Sequence, residues 1–120
     1  MRYVDGFVLP IPRKSMKAYR KLAELAKRVW MEHGALAYRE CVGEELKVGP
    51  GCGLAFPKGI RSRAGEAIVF AYIEYKSKAH RNAVNRRVMA DARLSGVPET
   101  MPFDMKRMMH GGFQAIVESR

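Results

Sequence analysis

Apolar residues recur along this chain with two different periods, and the switches between them mark out the elements. "RYVDGFVLPI" is rich in β-branched and aromatic residues, with Tyr3, Phe7 and Leu9 in one alternating set and Val4 and Val8 in the other; Pro10 and Pro12 are expected to close this first strand in a turn. The period then changes. In "SMKAYRKLAELAKRVWMEHG", Tyr19, Leu22, Ala26, Val29 and Trp30 recur at helical spacing, Ser15 can cap the start and Gly34 the end. "ALAYRECV" alternates loosely, as a half-exposed strand does. From Gly43 to Gly65 six glycines and two prolines predict a loop without regular structure, long enough to act as an arm.

"EAIVFAYIEY" is apolar almost throughout, the mark of a central strand. Ser77 is placed to cap a second helix, "KAHRNAVNRRVMAD", with Ala79, Ala83, Val84 and Val88 as a modest apolar stripe among basic residues. A loop with Pro98 and Pro102 leads into a last strand within "KRMMHGGFQAIVE".

Strand, helix, strand, strand, helix, strand is the order of the α+β ferredoxin-like βαββαβ fold, a four-stranded antiparallel sheet with both helices on one face. Two helices cover one face only. Strands one and three nevertheless carry apolar residues in both alternating sets, Ile68, Phe70 and Tyr72 against Val69, Ala71 and Ile73. The bare face is therefore expected to pack on that of a second copy, giving a homodimer.

Composition changes little in this picture. At 120 residues, 48% hydrophobic and 28% charged, the chain suits one folded domain. Its +10 net charge raises the prospect of an anionic partner, but each half of the chain carries 11 basic and 6 acidic residues, so there is no basic tail. The densest cluster, Lys76, Lys78, Arg81, Arg86 and Arg87, makes RNA binding through the second helix an alternative function. Cys41 and Cys52 form no C-x-x-C, the three histidines have no ligand spacing, and "GPGCG" lacks the lysine and hydroxyl of a phosphate-binding loop. Neither metal nor cofactor is called for. No signal segment or membrane-length apolar run is present, which makes cytoplasm the expected compartment.

In combination, "YVDGF", the His80–Arg81 pair of "KSKAHRNAVN", and "MPFD" followed by "GGF" resemble the YbaA-like family of small bacterial proteins, a family without assigned activity. The resemblance spans nearly the whole chain and departs from the family pattern in the central loop, which is richer in glycine here. It implies a dimeric α+β barrel, a superfamily that includes cofactor-independent monooxygenases and isomerases with pockets between sheet and helices. Transferred to this chain, that implies a polar residue on strand one, an aromatic on strand three and a histidine on the second helix, namely Asp5, Tyr72 and His80.

The residues can be weighed in their own right. Asp5 interrupts an apolar strand, and a buried carboxylate must be paired, bonded or protonated, so it is the candidate base. His80 at a helix start is the second catalytic candidate. Phe7, Trp30 and Tyr72 are candidate walls for a small-molecule pocket, with His110 a partner for Asp5. His33, beside Gly34, reads as structural. Within "MPFDMKRMMHGGFQAIV", Asp104 is a turn acceptor, Met108 and Met109 core, and Gly111–Gly112 a bulge or close approach by another backbone.

Overall fold

The computed structural model describes residues 1–95 and 101–119. Four strands, β1 (Tyr3–Pro12), β2 (Ala37–Val42), β3 (Glu66–Tyr75) and β4 (Met109–Gln114), form one antiparallel sheet in the order β2-β3-β1-β4. Helices α1 (Met16–Glu32) and α3 (Lys78–Met89) follow β1 and β3. The protein is thus α+β, with β3 central as its apolar run predicts.

Pairing fixes which side chains share a face. Tyr3, Asp5, Phe7, Leu9 and Ile11 of β1 lie opposite Tyr75, Ile73, Ala71, Val69 and Ala67 of β3, and this set faces the helices. Two clusters build the core there. Val29 of α1 and Val84 and Val88 of α3 pack with Ile73 and Tyr75, while Tyr19 packs with Leu9, Ile11, Val69 and Ala71; Phe7 touches both clusters. Val29, Val84, Val88, Ile11 and Tyr75 are completely buried.

Several expectations need correction. Pro12 is the last residue of β1, ahead of a 3-10 turn, as expected, but Pro10 lies within the strand; the two stand opposite Glu66 and Ile68. Arg13 N–H bonds the Gly65 carbonyl, so the alternation turns odd-numbered amides of β1 toward β3 and leaves positions 10 and 12 facing the other side. On that side β4 extends only as far as Val8, so two missing N–H groups cost the ladder nothing.

Ser15 precedes α1 without a side-chain capping bond, since a 3-10 turn over Arg13–Ser15 leads into the helix instead. The other end behaves as Gly34 predicts. At φ +111° it permits the wrap in which Ala35 N–H bonds the Trp30 carbonyl. Ser77 accepts from His80 N–H and caps α3.

The long loop contains a short helix, α2 (Phe56–Ile60), started by Pro57, ended by Arg61 in the left-handed region, and anchored by buried Ile60 against β1. A further short helix, α4 (Ala92–Ser95), follows α3; Pro98 lies outside the described residues. β4 starts at Met109, after a 3-10 turn in which Asp104 accepts from Lys106 N–H. Met109, expected in the core, is 57% exposed, because the register puts it opposite Val8 on the face away from the helices.

β4 contains no bulge. Its register with β1 runs unbroken from Met109 to Gln114. Within the chain, the glycines lie against aromatic side chains. A Cβ on Gly112 would collide with the Tyr3 ring and hydroxyl, whereas Gly111 and its cross-strand partner Gly6 lie beneath the Phe113 ring.

Candidate functional site

The helix-facing side of the sheet does not close completely on the helices. Tyr19, Leu22, Ala23, Ala26 and Trp30 fall on one stripe of α1, and at its middle Ala23 and Ala26 meet the sheet where β3 presents Ala71. Three methyl side chains cannot fill the gap between a helix and a sheet. They leave a cavity of about 560 Å³, within the roughly 300–1,000 Å³ usual for ligand sites. Residues of α3 (Arg81, Asn85, Met89) and of the segment before β4 (Met101, Phe103, Met105, Met108) complete its walls.

The floor comes from the register. One row across the sheet reads Glu40, Ala71, Phe7, His110 and the next reads Tyr38, Ile73, Asp5, Gly112, one residue from each strand. Polar groups gather at two places in an otherwise apolar surround.

Asp5, Arg81, Asn85 and His110 form the first. The Asp5 carboxylate is buried, 3.9 Å from Arg81 Nη1. Burial raises its pKa above the ordinary carboxylate value, while Arg81, the nearby Tyr75 hydroxyl and His110 pull it down less strongly. Arg81 is held by its neighbours. Its Nη2 donates to the Tyr3 hydroxyl at 3.1 Å and its guanidinium lies 4.9 Å over the Tyr3 ring, but its buried Nε has no acceptor among the described residues. Asn85 Oδ1 accepts from Trp30 Nε1 at 3.2 Å and from the Tyr75 hydroxyl at 3.4 Å, which ties α1, α3 and β3 together. His110 stacks on Phe7 with centroids 6.0 Å apart.

Glu40 forms the second. The hydroxyls of Tyr19 and Tyr38 both donate to its carboxylate, the latter at 2.6 Å. Burial first, and then the interactions with Glu40, raise both phenol pKa values, so the two rings remain neutral donors at any physiological pH.

Asp5 also carries a pH prediction. With its folded pKa above the unfolded value near 3.9, the fold favours the protonated form, so the carboxyl's contribution is complete below that value and is lost as pH rises through the folded pKa. Asp5→Asn, a neutral mimic of the protonated acid, is therefore expected to melt above the parent chain at pH 7, with the gap closing toward pH ~4. Paired melting curves across that range check it; an Asn variant that melts lower at pH 7 would refute it.

Of the residues singled out from sequence, the structure brings Asp5, Phe7, Trp30 and His110 to this cavity and leaves two outside it. Tyr72 points to the opposite face of the sheet, where its hydroxyl accepts from Arg39 Nε at 3.0 Å. His80 is absorbed locally: its Nδ1 accepts from Lys76 N–H at 3.0 Å and its ring stands edge-on to Tyr75. His33 bonds Asp91 at 2.8 Å, consistent with a structural part.

Sequence reasoning missed Glu40, Tyr38, Arg81 and Asn85 as cavity residues. One signal was available for the first pair. In "AYREC", Tyr38 and Glu40 alternate onto one strand face, and a glutamate on the face of a tyrosine is a polar group in need of partners.

Residues 2–105 match the family described as "Protein of unknown function (DUF1428)". The "Uncharacterized protein YbaA" of Escherichia coli K12 is 41% identical over 118 residues, covering 98% of this chain and 99% of the relative, and that of Shigella flexneri matches equally. Among solved structures, the de novo designed protein Foldit4 aligns over 96% of this chain and 99% of its own, with 13% identity and a TM-score of 0.40.

Proposed function

We propose that this chain, which belongs to the DUF1428 family of unknown function, binds a small, largely apolar molecule in the cavity between sheet and helices. The observation that carries this reading is the cavity itself. Its walls are mostly alanine, leucine, methionine and aromatic side chains, with a few convergent polar groups at fixed places, which is the make-up of a ligand site. The unpartnered Arg81 Nε favours a ligand with an oxygen acceptor at that end, because a buried donor left unsatisfied costs free energy.

Two other readings are less well supported. A cofactor-independent monooxygenase or isomerase would use Asp5 as base, whose raised pKa and neighbouring guanidinium suit proton transfer beside a polarised oxygen. His80 makes no comparable case from its place at the start of α3. RNA binding through α3 loses two of its cations, since Arg81 lines the cavity and Arg87 donates to the His33 carbonyl at 2.7 Å.

The strand order and the two long helices after β1 and β3 support a ferredoxin-like protomer of one domain. The far face of the sheet supports pairing with a second copy as a dimeric α+β barrel. It exposes Phe70, Met109 and Phe113 by 47%, 57% and 63%, alongside Val4 and Val8.

Native mass spectrometry of the purified protein and titration with the neutral fluorophore N-phenylnaphthylamine test the ligand reading. Retained mass, or saturable fluorescence enhancement, is expected. Ala26→Trp, which fills the cavity from α1, is expected to lower probe affinity more than about tenfold with the circular dichroism spectrum preserved. No saturable binding in the parent chain, or equal binding by the filled variant, would overturn the reading.

A further inference from the structure

The charge inside the cavity has the opposite sign to the charge on the whole protein. The chain is +10, yet the charged side chains lining the cavity are Asp5, Glu40 and Arg81, with His110 the one histidine among the lining residues. Arg81 and Asp5 stand as a pair at one end. Glu40 has no such partner: among the described residues no lysine, arginine or histidine forms a salt bridge with it.

What holds Glu40 is a pair of neutral donors. The Tyr19 and Tyr38 hydroxyls take one bond to each carboxylate oxygen, and a carboxylate has about four acceptor positions. Two are therefore left for a group in the cavity. The phenols spend their protons on Glu40, so they do not offer donors to an incoming anion. Aromatic rings surround this end, with Trp30 beside Tyr38 at 6.3 Å and Phe103 edge-on to Tyr19 at 5.6 Å. A carboxylate with spare lone pairs in an aromatic-lined pocket favours positive charge twice over, through charge-assisted hydrogen bonds and through the ring quadrupoles.

We infer that the cavity selects an organic cation, an amine-bearing molecule whose ammonium group meets Glu40 while its apolar body lies between Trp30 and the alanines of α1 and β3. This rests on the small-molecule reading and names the class of ligand. Long-range attraction works the other way, because a +10 protein draws anions to its surface. At about 0.15 M salt that field is screened within roughly 8 Å, and the preference of the cavity remains.

The test is an isosteric series of phenethylamine, phenethyl alcohol and phenylacetate, each displacing N-phenylnaphthylamine from the parent protein at about 0.15 M salt. The amine is expected to bind about tenfold more tightly than the alcohol, with the carboxylate weakest. In Glu40→Gln the amine's advantage is expected to fall to about twofold or less while the alcohol's affinity stays. An alcohol or carboxylate that binds as well as the amine overturns the inference and leaves the small-molecule reading standing. An advantage that survives Glu40→Gln does the same, since it assigns the cation elsewhere. Failure of the fluorophore and of all three compounds to bind overturns both. If Glu40→Gln does not fold, the ranking in the parent chain still decides whether the cavity selects a cation, and loss of the amine's advantage in Asp5→Asn would assign that cation to Asp5 instead of Glu40.

Discussion

The parent chain is expected to sediment as a dimer, and Phe113→Asp as a monomer at the same concentrations. The reason lies in the alternation of β1, β3 and β4, which gives the sheet a second apolar face carrying Val4, Val8, Phe70, Met109 and Phe113. Burying an unpaired carboxylate costs several kcal/mol, and in a two-fold dimer each substitution is met twice. Phe113 is 63% exposed in the single chain, so the protomer itself tolerates the change and its helical circular dichroism should persist. Phe70→Asp, on β3 with β1 between it and β4, is expected to act the same way. Analytical ultracentrifugation over a concentration series is the measurement. A parent chain that sediments as a monomer throughout, or variants that remain dimeric, would dismiss the paired-sheet arrangement.

Tyr75→Ala is expected to cost about 3–5 kcal/mol of folding stability, a large part of the roughly 5–15 kcal/mol typical of a domain. Tyr75 is completely buried, packs among Val29, Ile73, Val84 and Val88, and sits opposite Tyr3. Its hydroxyl reaches Asn85, which also holds Trp30, so the loss spreads from the core into the cavity wall. Tyr75→Phe separates the two parts. Removing the hydroxyl alone is expected to cost about 1 kcal/mol and, by withdrawing a group that lowers the Asp5 pKa, to push that pKa further up. Urea denaturation gives the first quantity and the pH dependence of stability the second; a loss for the alanine variant no larger than for phenylalanine would show that the ring's packing had been overvalued.

Much of the fold could be read from hydrophobic period alone, because strands and helices that bury one face must repeat it. The run "EAIVFAYIEY" could only be central, and Ser77 and Gly34 marked their helix ends by chemistry that depends on one residue. What escaped was whatever depends on register. Tyr72 and Asp5 both looked like cavity residues, yet a one-residue difference in phase puts Tyr72 on the far face; period identifies the two sets without saying which faces the helices. Pro10 read as a terminator for the same reason, since whether a proline's missing donor matters depends on which neighbour it faces. Arg81 looked like one more cation in a basic run until the helix phase turned it inward.

The three small side chains at the helix–sheet contact have a consequence for relatives of this protein. Ala23, Ala26 and Ala71 leave the space between the two layers unfilled where they meet, so the size of the side chains at these three places bears directly on the volume of the internal space. A member with leucine or phenylalanine at these places has a filled interior and a firmer core. One that keeps all three small has given up packing energy of about 24 cal/mol for every Å³ left empty, a standing cost that selection tolerates where something occupies the space.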